Sequence, residues 1–152
     1  MNATPLQTTT ADFRTTRPLL SLWTACSLLD CGELEILKKV ESGLLPFAWD
    51  IRRSKASRSC LRVLARSVSE LQKSGKADAS CELRQVIDSI LPRFHQTIPS
   101  TEIARLLNCG GDHVANLIRD GLLGRFEVTK PPKQAPKITR QSFVQFLTER
   151  RI

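Results

Sequence analysis

Tyrosine is absent from this chain, methionine occurs once, and the two histidines stand far apart in sequence. Without Tyr there is no phenolic nucleophile of the kind that tyrosine recombinases and relaxases use to cut DNA. The five cysteines are an odd number without a single C-x-x-C pair, so neither a disulfide framework nor a zinc-ligand spacing is present. No Gly-rich phosphate loop, no His beside a partnered nucleophile and no Asp/Glu cluster of a metal nuclease is found. The expectation is therefore a protein that is not an enzyme and takes no cofactor or metal. No apolar run approaches the roughly 18 residues of a membrane span. Trp23-Thr24-Ala25-Cys26, behind Arg14 and Arg17, looks faintly like a lipoprotein cleavage site, but its apolar run is short and its leader is Thr-rich and contains an Asp. The expectation is no signal peptide, no membrane partner and a reducing cytoplasm.

What is present is a soluble globular composition, 41% apolar and 25% charged over 152 residues, enough for one ordinary domain or two very small ones. The net charge is +8, and it is unevenly spread. Residues 20–74 hold nine basic to six acidic side chains, residues 97–152 hold nine to five, and residues 75–96 between them hold three of each. Two separately basic regions suit two surfaces facing one polyanion, because Lys and Arg that neutralise phosphates release condensed counterions.

The chain also repeats itself. LLDCGELEILKKVESGLL, residues 28–45, returns 78 residues later as LLNCGGDHVANLIRDGLL, residues 106–123. Leu28, Leu29, Cys31, Gly32, Gly43, Leu44 and Leu45 recur as Leu106, Leu107, Cys109, Gly110, Gly121, Leu122 and Leu123. Cys31 and Cys109 read as small buried hydrophobes used twice. The expected organisation is an arm over residues 1–16, a first unit over 17–75, a linker helix within 76–96 and a second unit over 97–152.

In each unit two helical patterns flank a break, at Asp30-Cys31-Gly32 and at Asn108-Cys109-Gly110, and Gly43 and Gly121 are placed to close the second helix. Residues 47–51 alternate like a strand, RRSKASRS is a polar loop, CLRVL is a second strand, and SVSELQ returns to helix. In the second unit Ser100 or Thr101 is the expected N-cap. GRFEVTK and KIT are strands around the Pro-rich PPKQAP, and SFVQFLTER is the last helix. The loop of the first unit is about three residues longer. CELRQVIDSIL carries a one-sided apolar stripe that packs on its own chain or on a twin.

Two helices joined by a tight turn and followed by a basic two-stranded loop describe a winged helix-turn-helix, a mainly α unit with a short β-hairpin wing. IPSTEIARLLNCGGDHVANLIRDGLLGRFEV resembles the excisionase and MerR-like module of that type through Ala104, Leu106, Leu107, Leu117, Ile118, Gly121 and Leu123. The first unit matches through Leu28, Leu29, Val40, Gly43, Leu45 and Pro46. The resemblance implies tandem modules that bind double-stranded DNA sequence-specifically. It also implies a recombination directionality role beside an integrase, homo-oligomers on DNA, and a bacterial, phage or plasmid origin. A transcriptional or plasmid-maintenance regulator, or a phage assembly protein, are the alternatives.

With Val114, Leu117 and Ile118 inward, His113, Asn116 and Arg119 are expected to face DNA, Asn116 to read adenine, and Gly111 to leave a backbone N–H for phosphate. Arg125, Lys130, Lys133, Lys137 and Arg140 are expected on the second wing and its flanks. The first unit offers Arg52, Arg53, Lys55 and Arg58 on its wing and Glu35, Lys38 and Lys39 on its helix. Because carboxylates repel phosphate, the first unit is expected to bind DNA more weakly or to contact protein.

Overall fold

The computed structural model describes residues 17–54, 58–91, 96–126 and 136–152. The expected arm, Lys55, Lys130 and Lys133 lie outside them. Within the described residues the chain forms seven helices and two small antiparallel sheets of three and two strands. The first copy runs β1 (Leu19–Ser21), α1 (Leu22–Leu29), α2 (Glu33–Glu41), β2 (Ala48–Asp50), β3 (Leu61–Leu64) and α3 (Ala65–Ser74). Helix α4 (Leu83–Ile90) follows. The second copy runs β4 (Thr97–Pro99), α5 (Ser100–Leu107), α6 (Gly111–Arg119), β5 (Lys137–Thr139) and α7 (Arg140–Glu149).

The duplication holds residue for residue in the backbone. Adding 78 to the bounds of β1, α1 and α2 gives the bounds of β4, α5 and α6, and adding 75 to α3 gives α7. The change from 78 to 75 is the three-residue longer loop between the strands of the first copy. Strand pairing follows the same rule, since Leu19 opposes Leu64 as Thr97 opposes Thr139. The turns agree too. Asp30 and Asn108 are left-handed at φ 49 and 52, a conformation that short polar side chains tolerate. Gly43 and Gly121 follow the second helix at φ 81 and 76, where a Cβ would be strained.

Several expectations change. Strands β1 and β4, which periodicity did not reveal, open each copy and pair with the strand before its last helix. Pro99, not Ser100 or Thr101, is the N-cap of α5, and no side chain caps that helix. Helix α3 begins at Ala65, two residues ahead of Ser67-Val68-Ser69, directly after β3. Of GRFEVTK, Arg125 forms a bridge with Ile138 and residues 127–130 fall outside the described set. The apolar stripe of α4 packs on its own chain, with Val86, Ile87, Ile90 and Leu91 in the largest core cluster.

That cluster belongs to both copies. Leu19, Phe47, Trp49, Ile51 and Leu64 of the first copy join Ile103, Leu106, Val114, Leu117 and Phe143 of the second. A smaller cluster, around Ile36, Val63 and Val68, is confined to the first copy. Residues 150–152 extend the joint by pairing with the free edge of β2. Asp50 N–H donates to Arg150 C=O and Ile152 N–H to Ala48 C=O, each at 3.0 Å. The Arg151 guanidinium then lies 5.1 Å over the Phe47 ring and donates to Pro46 C=O at 3.1 Å. Among the described residues no helix is long and apolar enough to cross a membrane.

Candidate nucleic-acid interface

Helix α6 forms because Val114 and Leu117 recur at helical spacing and are buried, with Gly110 as an extended N-cap and Gly121 as the left-handed stop. Its outward stripe is Asp112, Ala115, Asn116 and Arg119, spaced i, i+3, i+4 and i+7. Asn116 is half-buried and the other three are exposed. Gly111 is exposed at the first turn, with open space where a Cβ would stand. Asp112 lies in that turn, where the positive end of the helix dipole favours a carboxylate.

His113 is not part of this stripe. Expected to face DNA, it is half-buried, and its Nε2 lies 2.7 Å from the Ile51 carbonyl oxygen of the first copy. The physical reason is that a helix lying between two neighbours has two inward faces, and the second one here packs on the residues that follow β2 of the other copy. The same neighbour fixes the far end of α6. Arg53 donates through Nε and Nη2 to the two Asp120 carboxylate oxygens at 2.9 and 3.2 Å. Those bonds hold the Asp120 carboxyl below its ordinary range and raise the Arg53 guanidinium. Strand β2 and the residues after it thus run alongside α6 from His113 to Asp120, and bring Arg52 and Arg53 to its flank. Arg52 is bound in turn to Asp50 at 3.1 Å.

The remaining candidates are dispersed. Arg58, Arg125 and Lys137 are exposed, and Arg140 is half-buried with its guanidinium 3.3 Å from Asp88 of α4. On α2, Glu35 and Lys38 are exposed and Lys39 is half-buried. The duplication makes a direct comparison possible: the positions of Asp112, Ala115, Asn116 and Arg119 are held in α2 by Leu34, Leu37, Lys38 and Glu41. Leu34 is 74% and Leu37 38% exposed. At the first two of these positions α6 presents a carboxylate and a methyl group and α2 two leucines, while the last two positions are polar in both copies.

Sequence reasoning missed two arginines at the turn before α6. Arg62 of β3, only 9% exposed, donates to Leu107 C=O and Asn108 C=O at 2.8 Å each and to Leu61 C=O at 2.9 Å. Arg17 donates to the Asn108 side-chain oxygen at 2.9 Å. The Arg62 guanidinium of the first copy therefore caps the C-terminal end of α5, where carbonyls lack helix partners and the dipole is negative, and Arg17 of the same copy holds the Asn108 side chain beside it. The signal was an Arg inside the otherwise apolar strand LRVL.

Cys109, next to this cap, is half-buried, and burial pushes its thiol up to about 11, against the partial opposing pull of Arg62. Native protein treated with iodoacetamide near pH 8 is expected to label Cys109 about a hundredfold more slowly than unfolded protein, the ratio of thiolate set by the rise from 9.0 to about 11. Peptide mass mapping reads this, and equal labelling of folded and unfolded chains would exclude a buried thiol.

Among the described residues no group of His, Cys, Asp and Glu side chains could hold a metal. Comparison with protein-family models, with curated proteins and with solved structures finds no match to this chain.

Proposed function

We propose that the chain binds double-stranded DNA, each copy being a winged helix-turn-helix unit and the second copy doing the sequence reading. The observation that carries this is the stripe Asp112, Ala115, Asn116 and Arg119 on α6, flanked by the arginines of the first copy's wing. A helix of this width fits the major groove. There Asn116 pairs with adenine N6/N7, Arg119 with guanine or a phosphate, and the Ala115 methyl rests against a thymine methyl. Exposed Arg58, Arg125 and Lys137 contact phosphates and position the helix without reading sequence.

Two copies joined through a shared core suit a factor that binds adjacent sites and bends DNA, as a recombination directionality factor does beside an integrase. A transcriptional regulator would footprint across a promoter instead of beside an attachment site. The exposed leucines of α2 favour a protein-contact role for the first copy. A pure assembly protein is the contrasting reading, and salt separates the two. Phosphate-led binding should weaken by orders of magnitude between about 50 and 200 mM salt.

The test is selection from a random duplex pool followed by titration of variants. Asn116→Ala is expected to relax selection at one base pair, losing about 1–3 kcal/mol of discrimination, while Lys137→Ala weakens binding to all duplexes alike. If no duplex is enriched and no variant changes affinity, the DNA reading is wrong.

A further inference from the structure

We propose that Cys26 and Cys31 of the first copy are a redox modification site, a dithiol that closes to a reversible disulfide by exchange with low-molecular-weight disulfides. The Cys26 carbonyl, in the last turn of α1, accepts from the N–H groups of both Asp30 and Cys31, the latter at 3.1 Å. Asp30 between them is left-handed at φ 49. This is the six-residue helix stop whose first and last side chains come into contact. With standard covalent dimensions the 3.1 Å bond holds the two Cα atoms within about 7 Å, and disulfides span roughly 4.4–6.8 Å. Both side chains are half-buried against the first copy's own core cluster, packed on one side and reachable by solvent on the other. Burial first, and the neighbouring Cys31 second, hold the Cys26 thiol above its ordinary range.

The duplication separates what this turn needs from what it does not. In the second copy the same stop is made by Ala104 and Cys109, with Cys109 N–H donating to Ala104 C=O at 3.0 Å. One thiol is common to both copies, and the turn forms without the other. Cys26 is therefore the residue by which the first copy differs, at the position that meets Cys31 across the stop. In the exchange the Cys31 thiolate, its proton lost to solvent, attacks one sulfur of the small disulfide. That S–S bond breaks, one thiol leaves, and a mixed disulfide remains on Cys31. The Cys26 thiolate then attacks the Cys31 sulfur and displaces the second thiol. The two cysteines lose two electrons and two protons, and the small disulfide becomes two thiols. The new bond fastens the left-handed turn between α1 and α2, and reduction releases it. In a reducing compartment such bonds are transient and sense oxidant. The site needs no DNA and stands or falls separately from the function proposed above.

Equilibration of the full chain in buffers of reduced and oxidised glutathione, followed by acid quenching, alkylation in urea and tryptic mass mapping, tests it. No Lys or Arg lies between Cys26 and Cys31, so one peptide holds both. The expected result is that this peptide loses two hydrogens and resists alkylation, while Cys60, Cys81 and Cys109 gain no bond to either member of the pair. The bond should survive about tenfold more reduced glutathione in the native chain than in the urea-unfolded one, because the turn holds the thiols together. Cys26→Ala copies Ala104 on the same backbone, so folding is retained. In this variant Cys31 is expected to keep glutathione as a mixed disulfide that wild type resolves. A pair that stays fully alkylatable in oxidised glutathione, or that bonds to another cysteine instead, overturns the proposal. So does a midpoint equal to that of the unfolded chain, or a Cys26→Ala variant that holds no more glutathione on Cys31 than wild type does.

Discussion

Trp49→Ala is expected to lower stability by about 3–5 kcal/mol, a drop in melting temperature on the order of 10 °C, and to lower it for both copies at once. Trp49 is 0% exposed and sits on β2, whose other neighbours in the shared core are Phe47 and Ile51. Facing them are Ile103, Leu106, Val114 and Leu117 of the second copy. The void left by the indole would therefore open between the copies, not inside one, and neither could collapse into it alone. Denaturant titration followed by helical circular dichroism should show one transition for wild type and variant alike. Two separated transitions would mean that the copies fold independently and that the shared core contributes little. Trp49→Phe gives a second check. The indole Nε1 is buried without a hydrogen-bond partner. Its removal relieves a penalty of about 1–3 kcal/mol and partly offsets the smaller cavity, so Phe should be much milder than Ala.

The repeat was legible in the sequence because what is duplicated is the inward scaffold. Leu29, Cys31, Gly43 and Leu45 and their counterparts fix helix faces, a turn and a stop, and the backbone reproduces them at the offset the letters show. The longer loop of the first copy was legible for the same reason, since the Pro-rich segment of the second copy rules out a helix there. Strands β1 and β4 were hidden because three residues are too few to display a period, and their partners lie about 40 residues away. His113 was misplaced because a single helix pattern reveals one inward face, and the second was set by a neighbour from the other copy. Asn116 and Arg119 stood on the outward stripe as expected, whereas Asp112 and Ala115 became visible only with α6 in place. The contacts of residues 150–152 with β2 have no local signature, being backbone pairing that any side chain permits.

The strongest test of how the copies are joined is a pair of equivalent positions. Arg62 on β3 and Lys137 on β5 are related by the same 75-residue offset, yet Arg62 is buried and Lys137 exposed. The difference arises because the second copy's helical turn, at Leu107 and Asn108, lies against the first copy's strand, and no third turn lies against β5 among the described residues. Arg62→Ala should cost about 2–4 kcal/mol, because it strips charged donors from one buried and one half-buried carbonyl at the end of α5. Lys137→Ala should leave stability within about 0.5 kcal/mol of wild type. Arg62→Lys should recover little, since a single ammonium cannot reproduce the planar fork that serves Leu107 and Asn108 together. Chemical denaturation of the three variants reads this directly. Equal losses at Arg62 and Lys137 would mean that the guanidinium cap does not hold the copies together. A large loss at Arg62 alone would show that one arginine, absent in role from its own twin, converts a repeated sequence into a single folded body.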